Sequence, residues 1–113
     1  MLKAINLKET KDFDIEGTIF LIGVIKNSDM MPFIQSASTK EGGSVNLTVD
    51  EMMRIFSLGI KGIKNVEING EIKNLDEKEI SKDTFDLFDL NIASKVVTKI
   101  IELNIPQEKE LKN

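Results

Sequence analysis

Asp89-Leu-Asn-Ile-Ala-Ser-Lys-Val-Val-Thr-Lys-Ile-Ile-Glu-Leu-Asn104 is the stretch around which the rest of the chain reads. Ile92, Val96, Val97, Ile100 and Leu103 recur at three- and four-residue steps and so share one stripe of a helix, which Ala93 and Ile101 widen. Ser94, Lys95, Thr98, Lys99 and Glu102 fill the opposite face. Asp89 or Asn91 can cap the first turn, while Pro106 cannot continue the ladder and pushes Ile105 out of helical geometry.

Outward from this helix, Phe85, Leu87, Phe88 and Leu90 lead into it through a turn of their own, after a charged connection from Asn74 to Thr84 anchored by Leu75 and Ile80. Val66-Glu-Ile-Asn-Gly-Glu-Ile-Lys73 signals a hairpin, because Asn69-Gly70 supplies the two left-handed residues of a type I′ turn. Thr48-Val-Asp-Glu51 fits a capping box. The helix it opens puts Val49, Met52, Met53, Phe56 and Ile60 on one face and ends near Gly59 or Gly62.

Gly17 to Ile25 is rich in β-branched and aromatic residues and reads as a buried strand, with Gly23 marking a bulge or a close neighbour. Ser28 or Asp29 followed by Met30-Met31-Pro32 starts a short helix with Phe33, Ile34 and Ala37 facing inward. Ser38–Ser44 reads as a flexible loop and a candidate for ordering on a partner. Asp12 and Asp14 bracket Phe13 in a polar connection, and Met1–Leu7 is a short edge strand or an extended lead-in. The expected fold is a single α+β domain over residues 1–105, followed by a charged tail over 106–113. It has two amphipathic helices, a short helix near Pro32 and a small antiparallel sheet including the Asn-Gly hairpin.

Length and composition agree with that outline. The 113 residues allow one small core, and 41% hydrophobic against 30% charged residues is too apolar for a disordered chain. The chain has neither cysteine nor histidine. That excludes disulfides, thiolate sites, the imidazole base and every Ser-His or Cys-His pair, so no cofactor or metal is expected. A net charge of −4 and a single arginine, Arg54, argue against a general electrostatic footprint for nucleic acid. The longest apolar run, Ile19 to Ile25, is too short to span a bilayer, and an intracellular location is expected.

Four groups of residues invite a functional reading. Asn65, Glu67, Asn69, Gly70, Ile72 and Asp76 fall at EF-hand ligand spacings, but the first place wants aspartate and the last a bidentate glutamate, and a plain hairpin explains the glycine more simply. Gly59-Ile-Lys-Gly62 has the form of a KH-domain backbone clamp, although a glycine helix cap accounts for it and leaves Lys61 and Lys64 solvated. Asp83, Asp86 and Asp89, with Glu77 and Glu79 nearby, could bind magnesium or act as acid and base, but acidic residues also favour the positive end of a helix. Met52, Met53 and Phe56 form a soft face that could hold a partner, methionine at this spacing being more often core filler.

Glu16-Gly-Thr-Ile-Phe-Leu21, the middle helix from Thr48 to Ile60, and the closing segment Phe88-Asp-Leu-Asn-Ile-Ala93 through Ile100-Ile-Glu-Leu-Asn104 to Glu110-Leu-Lys-Asn113 together resemble the layout of small phage tail assembly chaperones. The likeness is to those of siphophages infecting Gram-positive bacteria and of related prophages. It implies a non-catalytic protein of the bacterial host cytoplasm that binds a tape-measure or tail tube protein and could self-associate. It also implies that exposed Met and Phe positions cover an apolar helix of the partner. The hairpin and the strand content depart from the mainly helical family pattern. Two other readings stand beside it. A phage-encoded anti-defence protein, such as a CRISPR inhibitor, would use clustered carboxylates to occupy a nucleic-acid channel. A carboxylate-dependent metal protein would lose its ion when Asp86 or Asp89 is replaced by Asn.

Overall fold

The computed structural model describes residues 1–34 and 47–105. Ala37, the Ser38–Ser44 loop and the charged tail from Pro106 therefore lie outside the described residues. The elements run β1 (Thr10–Ile15), β2 (Thr18–Gly23), α1 (Asn27–Met30), a 3-10 turn (Met31–Phe33), α2 (Val49–Gly59), β3 (Ile60–Ile68), β4 (Glu71–Leu75), a second 3-10 turn (Glu77–Glu79), α3 (Lys82–Phe85) and α4 (Leu90–Asn104). The strands form one antiparallel sheet in the order β1-β2-β3-β4, as expected of an α+β domain. Among the described residues no helix is long and apolar enough to cross a membrane.

Local chemistry sets these boundaries. Thr48 accepts from the Glu51 amide and Glu51 returns a bond to the Thr48 amide, so the capping box opens α2 as its sequence implies. Asp89, rather than Asn91, caps α4 by accepting from the Ile92 amide at 2.9 Å. Asn69 and Gly70 both take positive φ in the β3–β4 turn. The second two-residue turn, Glu16-Gly17, does the same at φ 51° and 92° and joins β1 to β2. The polar connection expected at Asp12–Asp14 is thus a strand: Phe13 and Ile15 face the helices half-buried, and the acids alternate to the solvent side. Met1–Leu7 forms no strand, and Leu7 lies in the turn that precedes β1.

The helices cover one face of the sheet. The core runs through Phe20 and Ile22 of β2, Ile60, Ile63 and Val66 of β3, Ile55 and Phe56 of α2, and Ala93, Val96, Val97, Ile100 and Ile101 of α4. Ile63 and Val66 are three residues apart, yet both point inward because the pairing shifts between them and Asn65 adopts φ 60°. The Asn65 side chain ties this bulge down by donating to the Gly17 carbonyl, and its amide donates to Asn74 Oδ1. Ile34 and Leu103, expected inside, are exposed, while Ile60 is buried as the first residue of β3 rather than the last of α2.

Candidate partner-binding surface

Three of the residues singled out as a soft face lie on α2, and the structure divides them. Phe56 is 0% exposed and sits at the centre of an aromatic cluster: edge-on to Phe85 at 5.6 Å and tilted against Phe88 at 6.3 Å, which in turn meets Phe20 edge-on at 5.2 Å. It presents no surface in this conformation and belongs to the core. Met52 and Met53 are half-buried, packed on the core by one side only. Val49 is 54% exposed and lies one turn earlier on the helix, three and four residues from the methionines, so the three side chains are neighbours on its N-terminal half. Ile55, absent from the expected helix face, is fully buried because the α2 stripe is wider than the Val49–Phe56 series alone.

The acidic run resolves into separate tasks. Asp76 accepts from the Lys78 and Glu79 amides, Glu79 returns a bond to the Asp76 amide, and Asp89 caps α4. Glu77 approaches Lys61 at 3.7 Å. Among the described residues no three acidic side chains converge to hold a metal ion. The EF-hand spacing from Asn65 to Asp76 is occupied by the β3–β4 hairpin.

The Gly59–Gly62 pair does not form a loop between helices. α2 ends at Gly59 and β3 starts at Ile60. Gly59 has no positive φ, so a left-handed cap is not why glycine stands there. A Cβ on it would come within 2.6 Å of Ile100 Cγ2; glycine lets α4 close onto the end of α2. Gly23 is similarly constrained, since a Cβ would meet the Lys61 stem at 2.5 Å. That stem carries the ammonium to the Leu58 carbonyl.

The described surface also carries concave regions. One, about 200 Å³, lies beside Gly23, Lys11 and Leu103 and is lined by Asn104. The Asn104 amide is committed to structure: its oxygen accepts from the Ile25 amide, and its nitrogen donates to the Gly23 and Ile100 carbonyls. Sequence reading missed this clamp, because the last polar residue of a helix looks like any solvated one. Another, an open groove of about 330 Å³, contains Ser28, Ser57, Arg54 and Lys82. Arg54 is held by Asp50 at 3.1 Å, and neither serine has an imidazole to activate it. Neither region assembles a nucleophile with a base. Compared with protein-family models, with curated proteins and with solved structures, the chain matches none.

Proposed function

We propose that this chain is a non-catalytic protein-binding factor of the tail assembly chaperone kind, or a related phage morphogenesis protein, acting in the bacterial cytoplasm. The observation that carries the reading is the apolar edge of α2: Val49 stands in solvent beside two methionines that are only half covered. Unbranched thioether side chains adapt to an incoming apolar helix with little strain, and such a helix, from a tape-measure or tube protein, is what this edge would cover. The chain's lack of histidine and cysteine fits a role without chemistry.

The test is affinity capture of tagged protein from an induced or infected host, with Val49→Asp/Met53→Gln as comparison. Recovery of tape-measure or tube protein by the native chain, with several-fold loss in the double variant, is the expected result. Recovery of a host defence complex instead, or tape-measure capture indifferent to the substitutions, overturns the proposal.

A further inference from the structure

The least protected apolar surface lies away from α2. Met1 and Leu2 stand fully in solvent, and Ile5 and Leu7 keep 58% and 49% of their surface exposed, so the start of the chain leaves much of its apolar surface uncovered. A turn over residues 6–9, with Leu7 and Lys8 at its centre, separates Met1–Asn6 from β1: the Glu9 amide donates to the Asn6 carbonyl and the Lys8 amide to Asn6 Oδ1. Singly exposed apolar residues are ordinary; four within seven consecutive residues are not.

The sheet offers a place for such a segment. Among the described residues β4 pairs only with β3, which leaves its outer backbone edge open. Ile72, on the sheet face away from the helices, is 72% exposed at that edge. We infer that Met1–Asn6 of one copy adds as a further strand to the β4 edge of a second copy. Length, side-chain pattern and charge agree on this occupant. Six residues in a strand would span about 20 Å against about 17 Å for the five of β4. In a strand Met1 and Ile5 share one face, which on the solvent side of the sheet lies beside Ile72. Met1–Lys8 carries Lys3 and Lys8 and no acidic side chain, whereas Glu71–Glu79 carries four carboxylates against two lysines. The β1 edge suits the segment less, because its apolar residues Phe13 and Ile15 face the core and its solvent side shows Asp12 and Asp14. Main-chain bonds supply the pairing and the alternate side chains its register. Neither Val49 nor the methionines take part, so this self-pairing stands apart from the partner surface on α2.

The absence of cysteine makes the test direct. Chains carrying Ile5→Cys are mixed with differently tagged chains carrying Ile72→Cys and mildly oxidised. The mixed disulfide is expected to form at least several-fold faster than with Lys95→Cys, an exposed control on α4. Sedimentation equilibrium of the full chain is expected to show concentration-dependent association that Leu2→Asp/Ile5→Asp abolishes while circular dichroism stays unchanged. A monomer at every concentration, association that survives the double substitution, or cross-linking as fast to position 95 as to position 72 overturns the inference.

Discussion

Gly59 and Ile100 show how one missing atom sets the distance between the two longer helices. Ile100 is fully buried, so its side chain has nowhere to move if a methyl group arrives at 2.6 Å. Gly59→Ala is therefore expected to lower stability by about 1–3 kcal/mol through overpacking, despite alanine's better helix propensity. Ile100→Ala alone should cost about 2–5 kcal/mol, and the double variant less than the sum, as a urea-denaturation double-mutant cycle will show. Glu16 illustrates the opposite case, a residue poorly matched to its backbone. It holds φ 51° in the β1–β2 turn, where Asp14 Oδ1 accepts from the Gly17 amide. An L-residue other than Asn or Asp adopts that region at a cost of about 1–2 kcal/mol. Glu16→Asn should raise the urea midpoint by an amount equivalent to about 0.5–1 kcal/mol with the slope unchanged.

At the scale of elements, helix starts are written in short polar motifs and respond to single substitutions. Thr48→Ala removes the acceptor for the Glu51 amide and is expected to destabilise the protein by about 1 kcal/mol, read as a fall in the denaturation midpoint. The same box, the stripe of α4 and the Asn69-Gly70 turn were legible in the sequence because each depends on residues a few positions apart. β1 was not. Its alternation, Phe13 and Ile15 against Asp12 and Asp14, covers only six residues, and its turn is Glu-Gly where Asn-Gly would have marked it. The Asn65 bulge and the Asn104 clamp were hidden for another reason. Their hydrogen bonds reach Gly17, 48 positions away, and Gly23, 81 positions away, so no local pattern encodes them. On α2, spacing alone groups Phe56 with Val49 and the methionines, but burial separates them, and burial depends on what α3 and α4 bring against the helix.

For the whole molecule, the arrangement of the core decides how it unfolds. One continuous cluster joins β2, β3, α2, α3 and α4, and the aromatic contacts of Phe20, Phe56, Phe85 and Phe88 cross between sheet and helices. No part of that cluster can be exposed without opening the remainder, so the described domain should unfold in a single transition. Its ion pairs cannot substitute for the core. Among the described residues each of these surface pairs has at least one partner more than half exposed, as in Arg54–Asp50 and Lys61–Glu77, and such pairs contribute about 0–1 kcal/mol. Scanning calorimetry is the suitable probe for a chain without tryptophan or tyrosine. The calorimetric and van't Hoff enthalpies are expected to agree, and raising the salt concentration to screen the surface should move the midpoint by no more than a few degrees. A separate low-temperature transition would mean that the β3–β4 hairpin, whose outer strand is almost wholly exposed, melts independently of the helices. Ile63 and Val66 argue against that outcome, because both anchor β3 within the shared core.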